Sequence, residues 1–356
     1  MLQALMQCLW ERRFPKKFNV LSVGQVFRSA KSLLVLGCED GVIRLFDLPV
    51  SGEKSSENTL QCISALETKG GPIQQLALHN VTRFGSVDLI AADSQGTVTI
   101  FCNEQILARC SLGEHSISCL DVEEDAIGNL MIVAGDEGGT VNAFLPYSTL
   151  WRLRLQDTRI TRGVNSIPTV RCLLAVGLCS STGDVSNYIL AADNYRNLHV
   201  IQGGTIVQTL PTNAIINAMC AGNFVDTDDV HWTKGGQKDI AGRTVPSQVA
   251  LGGEDGSIYI MSNFQVSVVE YSNVKLPLTQ LLCVQDSIPG QEDFILCAGH
   301  FNALFVYQAG KRVCQHKTPD WVVSMATADV DRDGNVEVVV GCLDNTVQAL
   351  KLTTSR

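Results

Sequence analysis

The stretch LLVLGCEDGVIRLFDL, residues 33–48, decides the fold of this chain. An apolar run ends at Gly37, three turn residues and Gly41 follow, and a second apolar run opens at Val42. Glycine adopts the positive φ that a tight turn between twisted antiparallel strands requires. The stretch therefore predicts a β-hairpin.

The same hairpin pattern recurs seven times, with about 43 to 60 residues per copy, which is the period of β-propeller blades. The predicted hairpins lie near residues 33–48, 88–103, 130–145, 187–202, 248–263, 293–308 and 336–351. Their turn positions are Gly41, Gly96, Gly139, Arg196, Gly256, Asn302 and Asn345. All of these residues except Arg196 are of types that tolerate a positive φ.

Each hairpin follows an inner apolar strand and precedes an outer strand, so one copy supplies four short strands. The pattern predicts an all-β fold, a single seven-bladed β-propeller over residues 1–356 with four-stranded blades. The last hairpin has no outer strand after it, and the N-terminal segment has the pattern of one. Residues 5–12 are predicted to pair with the C-terminal hairpin and close the ring, which removes open sheet edges.

Two polar insertions interrupt the repeat, at residues 50–59 and 223–248. Long loops on a rigid scaffold are where binding function concentrates, so the second insertion is a candidate partner site, and a tolerated insertion without function is the alternative. A tryptophan among acidic residues resembles an interface hot spot, although it could equally anchor its own loop to the scaffold. The candidate partner-binding residues are Trp232, Asp226, Asp228 and Asp229.

Charge and composition exclude several classes of partner. The chain carries 27 Lys and Arg against 36 Asp and Glu, a net charge of -9, and no long basic run, so we expect no nucleic acid partner. No apolar run reaches the length of a membrane span, so we expect no direct membrane insertion. We expect no homo-oligomer either.

The 13 cysteines include no Cys-x-x-Cys pair, and we expect no signal peptide ahead of them. Many of them lie inside apolar strand patterns, where a free thiol behaves as a small hydrophobic side chain. The cysteines therefore predict a reducing compartment, cytosol or nucleus, and their spacing does not match a zinc site.

An acidic loop, DVDRDGNVE at residues 329–337, precedes the last hairpin. Alternate acidic residues with Gly334 at the sixth position allow carboxylates to converge on one hard cation. The predicted calcium ligands are Asp329, Asp331, Asp333, Asn335 and Glu337. The loop resembles the calcium loop of the FG-GAP repeats in integrin α-subunit propellers, apart from Glu337 at its last position. The alternative is a vestigial loop that makes an Asx-type turn.

No sequence motif indicates catalysis. The chain contains no Gly-x-Ser-x-Gly elbow, no His-Glu-x-x-His and no P-loop, and its six histidines share no spacing. We therefore expect no catalytic residues, no bound organic cofactor and no enzyme activity. The alternative is a small-ligand-binding or enzymatic propeller that uses the central mouth, supported by calcium in the acidic loop.

The hairpins VLGCEDGVIRLFDL and ALGGEDGSIYIM look like WD-repeat hairpins without the Gly-His and Trp-Asp marks of that family. This combination is similar to the intracellular propellers of the FG-GAP subunit of the KICSTOR complex and of BBSome subunits. The resemblance covers the whole chain in blade pattern and identifies no particular protein. It implies a non-catalytic scaffold, a subunit of an intracellular signalling or trafficking complex in the cytoplasm, with nuclear, ciliary or lysosome-surface assemblies as the alternatives.

Overall fold

The computed structural model of the chain describes residues 3–48, 61–124, 128, 130–155, 168–179, 185–225, 245–286 and 291–355. These residues form 28 β-strands in seven four-stranded antiparallel sheets, the blades, and the described part contains no helix. It therefore offers no helical segment of the length and apolarity that crossing a bilayer requires. The predicted all-β, seven-bladed propeller is confirmed.

The first four blades follow chain order. Blade 1 comprises β2 (Phe18–Gly24), β3 (Leu33–Cys38), β4 (Val42–Asp47) and β5 (Cys62–Glu67). Blade 2 comprises β6 (Ile73–His79), β7 (Asp88–Asp93), β8 (Thr97–Cys102) and β9 (Gln105–Ser111). Blade 3 comprises β10 (Ile117–Glu124), β11 (Leu130–Asp136), β12 (Thr140–Leu145) and β13 (Ser148–Arg154). Blade 4 comprises β14 (Val170–Cys179), β15 (Val185–Asp193), β16 (Asn197–Gln202) and β17 (Thr205–Pro211).

The last three blades include the closing one. Blade 5 comprises β18 (Ile216–Gly222), β19 (Gln248–Gly253), β20 (Ser257–Ser262) and β21 (Gln265–Asn273). Blade 6 comprises β22 (Leu278–Val284), β23 (Phe294–Gly299), β24 (Phe301–Gln308) and β25 (Lys311–Lys317). Blade 7 comprises β26 (Val322–Ala328), β27 (Glu337–Cys342), β28 (Thr346–Ser355) and β1 (Gln3–Arg13).

The core lies between neighbouring blades. The second strand is buried along its whole length in blades 1, 2, 5, 6 and 7, because both of its faces pack against adjacent sheets. The outermost strands, such as β9 and β25, alternate between exposed and half-buried side chains. A near-continuous apolar run is therefore the sequence mark of a second strand, which explains why the hairpins were readable.

Strand β1 closes the ring. It pairs antiparallel with β28, with Met6 opposite Leu352 and Arg12 opposite Val347. Met6 is buried with Leu350 in the core between blades 6 and 7. The predicted closure by residues 5–12 is confirmed, and the strand is longer than predicted because the pairing runs to both ends of β28.

The hairpin turns use the predicted positive φ at six of the seven positions. Arg196 adopts a φ of 64° although it has a Cβ, so blade 4 keeps the turn without the favoured residue type. Asn302 is the position that does not adopt a positive φ. In blade 6 the strands resume pairing immediately, with Gly299 opposite Phe301, so Asn302 already belongs to β24.

Candidate functional site

The acidic loop between β26 and β27 brings three predicted ligands together. Carboxylate oxygens of Asp329, Asp331 and Asp333 lie within 4.8 Å of one another, and no other group of three acidic, histidine or cysteine side chains converges in this way among the described residues. The backbone N–H groups of Asp333 and Gly334 donate to the Asp329 carboxylate, each at 3.1 Å. The loop is therefore an Asx-type turn whose carboxylates satisfy its own backbone.

Glu337 lies at the base of the loop, as the first residue of β27. Its side chain is fully buried, and its Oε2 accepts a hydrogen bond from the Val330 N–H at 2.7 Å. Its Oε1 accepts no hydrogen bond and faces the Lys351 ammonium at 3.4 Å. Asn335 is exposed. Its side-chain amide donates to the Asp333 carboxylate at 3.2 Å, so it forms part of the turn.

Lys351 supplies a positive charge inside the loop. Its ammonium donates to the Asp331 carboxylate at 2.5 Å and also to the Asp333 carboxylate. The hydrogen bond from Lys351 holds the pKa of Asp333 well below its ordinary value. Sequence reasoning missed Lys351, although the hairpin register could have found it. Val338 pairs with Leu350, so Glu337 and Lys351 come next to each other one step further along the two strands.

Calcium at this loop stays a prediction from the sequence, and the arrangement does not fit it. Calcium takes six to eight oxygen ligands. Here the ammonium of Lys351 contacts Asp331, Asp333 and Glu337, and a divalent ion on the same oxygens would lie against a like charge.

The predicted partner residues Trp232, Asp226, Asp228 and Asp229 lie outside the described residues. The two ends of that insertion are described, and the buried side chain of Gln248 holds them together. Gln248 accepts hydrogen bonds from the N–H groups of Phe224 and Val225 at 2.7 and 3.0 Å, and it donates to the Val225 carbonyl at 2.7 Å. The insertion therefore leaves and re-enters blade 5 at a fixed point.

A groove of about 690 Å³ crosses the rims of blades 2, 3 and 4. Tyr147 and Leu150 line it and are 72% and 48% exposed. Trp151 lines it too and packs against Gly204 of blade 4, where an added Cβ would lie 2.8 Å from the indole. Arg83 of blade 2 lines the groove as well and donates to the Gly128 carbonyl at 2.5 Å. Sequence reasoning missed this groove because its lining residues come from three different blades.

Comparisons with known proteins identify the fold. No family model and no curated protein matches the sequence. The N-terminal part of BBS1 in complex with ARL6DN, from a crystal soaked with lead, has a TM-score of 0.70 and 13% identity, covering 99% of this chain and 98% of that one. The mercury-soaked crystal of the same complex has a TM-score of 0.69 and 14% identity, with the same coverage. The WD40 β-propeller domain of Doa1 has a TM-score of 0.65 and 12% identity, covering 97% of each chain.

This chain is a seven-bladed β-propeller. At these identities the likeness shows the fold alone, and it confirms the predicted likeness to WD-type propellers at that level. Membership of the FG-GAP class stays a prediction.

The centre of the propeller is closed by a ring of hydrogen bonds. The first strand of each blade contacts the first strand of the next, and each carries a β-bulge at its second residue. A bulge interrupts ladder pairing and makes backbone groups available to other partners. The side chains that link one blade to the next are Asn19, Gln75, Ser118, Arg171, Asn217, Gln280 and Ser324.

All seven of these side chains are engaged in hydrogen bonds between neighbouring blades. Asn19 donates to the Ile73 carbonyl at 2.9 Å, and Gln280 donates to the Val323 carbonyl at 3.0 Å. Asn217 both accepts from Arg171 and donates to the Leu278 carbonyl. Sequence reasoning missed the ring because its donors differ in type.

The described histidine with the most complete contacts is structural. The Nε2 atom of His199 lies 3.0 Å from Asp193 Oδ2, and its Nδ1 lies 3.1 Å from Thr209 Oγ1. Both His199 and Asp193 are fully buried, so no substrate reaches them. Burial alone would raise the pKa of Asp193, but hydrogen bonds from His199 and Asn197 lower it overall. The pair stabilises the turn between β15 and β16 of blade 4.

Proposed function

We propose that this propeller is a non-catalytic protein-interaction module and a subunit of an intracellular multiprotein complex. The groove across blades 2, 3 and 4 carries the proposal, because it gathers exposed aromatic and aliphatic side chains at one place. Contiguous apolar surface of this kind marks protein interaction sites, and tyrosine and tryptophan are enriched among interface hot spots. The BBS1 propeller, which has the same fold, was crystallised in complex with ARL6DN, and this supports a protein partner.

The cysteines support an intracellular location. None of the 13 forms a disulfide. Burial raises the pKa of Cys119 to about 12 and that of Cys342 to about 11, so these thiols stay protonated and unreactive inside the core. A propeller with this many cysteines and no disulfide suits a reducing compartment, and we place it in the cytoplasm.

Affinity purification from the native cell with quantitative mass spectrometry tests the proposal. The tagged wild type is compared with a groove variant that carries Tyr147→Ser and Leu150→Ser. The matched control is Val269→Ser on β21, which removes a side chain that is 56% exposed on another blade. We expect one set of proteins to be recovered with the wild type and the control and to be depleted with the groove variant.

A further variant separates the two candidate surfaces. Trp232→Ala removes the tryptophan of the insertion and leaves the groove intact. Retention of the partners by Trp232→Ala assigns them to the groove. Recovery of the same proteins by the wild type and the groove variant would refute the groove as the binding surface.

A further inference from the structure

We infer that the ammonium of Lys351 is the resident cation of the acidic loop, so that the closure of this propeller does not depend on calcium or another divalent ion. The inference is independent of the proposed function. It concerns the loop that joins β26 to β27, the β28 strand on which Lys351 lies, and β1 beside it.

The first argument is charge. Three aspartates converge at the loop, and Glu337 adds a fourth carboxylate from below. Like charges this close repel one another unless a cation lies among them. Lys351 contacts Asp331, Asp333 and Glu337 at once, so a single ammonium serves as the counter-charge of the cluster.

The second argument is the buried oxygen of Glu337. The side chain of Glu337 is fully buried, and its Oε1 has no hydrogen-bond partner. A buried carboxylate without a counter-charge is strongly unfavourable. The Lys351 ammonium at 3.4 Å is the positive group that faces this oxygen. The acidic loop therefore needs a cation, and the lysine is already in place.

The third argument is the position of Lys351 in the sheet. It lies on β28, which pairs with β1 on one side and with β27 on the other. Lys351 is opposite Gln7 of β1 and next to Glu337 of β27. Because the lysine belongs to the same hairpin as Glu337, its effective concentration at the loop is high and does not depend on solution conditions. A calcium ion would compete for the same oxygens against a cation that never diffuses away.

Calcium titration of the full chain tests the inference. The measurements are isothermal calorimetry with calcium chloride and the melting temperature in calcium against a chelator, for the wild type, Lys351→Ala and Lys351→Ala with Asp331→Asn. We expect the wild type to show no binding heat and a melting temperature that calcium shifts by less than about 1 °C.

Removing the Lys351 ammonium is expected to make the melting temperature depend on calcium. Lys351→Ala should melt lower than the wild type in chelator, bind calcium, and regain at least about 2 °C in its presence. The double variant should lose that response, because Asp331 is one of the freed ligands. Lys311→Ala on the exposed strand β25 is the matched control and should behave as the wild type in both media.

Two outcomes overturn the inference. The first is calcium binding by the wild type that raises its melting temperature, since the site would then accept the metal with the lysine present. The second is a Lys351→Ala variant that melts as the wild type does and does not bind calcium. If the alanine variant does not fold, Lys351→Met takes its place, because methionine keeps an aliphatic side chain and removes the charge. The calcium titration of the wild type can refute the inference without either variant.

Discussion

The centre and the closing blade of this propeller hold the ring together in different ways. At the centre, seven neutral or singly charged side chains make one similar link between each pair of neighbouring blades, and each link lies at a bulge. At blade 7, one lysine and four carboxylates form a cluster that has no counterpart among the described residues of the other blades. We expect the distributed arrangement to tolerate the loss of a member, and we expect the single cluster to depend on each of its parts.

The largest expected effect comes from removing the closing strand. Deletion of residues 3–13 takes away β1 and leaves β28 with an unpaired edge, beside the apolar core that Met6 completes. An open edge next to exposed apolar surface favours edge-to-edge association. We expect loss of cooperative melting and the appearance of oligomers, measured by light scattering coupled to size exclusion. A monomer with a sharp transition would show that the central ring suffices without closure.

The next effect concerns the buried carboxylate of the closing blade. Glu337→Ala removes the acceptor of the Val330 N–H and leaves that donor unsatisfied, for an expected loss of about 2 kcal/mol in the free energy of unfolding. Glu337→Gln is the matched control, because it keeps an oxygen acceptor and removes only the charge. Urea unfolding measures both variants. If alanine costs no more than glutamine, the hydrogen bond is not what holds the loop.

Much of the fold was predictable from the sequence, and most of the candidate sites were not. The hairpins were readable because a second strand is buried on both faces and ends in a turn residue such as Gly41 or Gly256. Closure was predictable because the N-terminal segment repeats the pattern of an outer strand. These features are local in the sequence, so each repeat by itself predicts its own strands and turn.

The sites depend on contacts between distant parts of the chain. Lys351 enters the acidic loop through cross-strand register. The groove needs residues from three blades, including Tyr147 of blade 3 and Arg83 of blade 2. The ring uses amides, hydroxyls and a guanidinium in equivalent places, so no residue type repeats to reveal it.

The central ring predicts small and additive losses. Gln75→Ala leaves the Ser118 carbonyl without its donor, and Gln280→Ala does the same to the Val323 carbonyl, for about 1 kcal/mol each. The two links lie in well separated blades, so the double variant should lose the sum of the single losses. Urea unfolding of the three variants checks this. A double variant that loses much more than the sum would show that the ring acts as one cooperative unit.

The smallest effect is a gain at the hairpin of blade 4, whose turn has a positive φ at a residue type that does not favour it. Arg196 adopts a φ of 64°, a conformation that costs a residue with a Cβ roughly 1 kcal/mol and costs glycine little. Arg196→Gly should therefore raise the free energy of unfolding by up to about 1 kcal/mol, less the extra flexibility that glycine gives the unfolded chain. Asn302→Gly is the matched control, and it should be destabilising because Asn302 lies in β24 without a positive φ. A loss of stability in Arg196→Gly would mean that the arginine side chain makes contacts at the turn that outweigh its backbone strain. Blade 4 would then resemble blade 7, where the single residue Lys351 stabilises a feature that the described residues of the other blades lack.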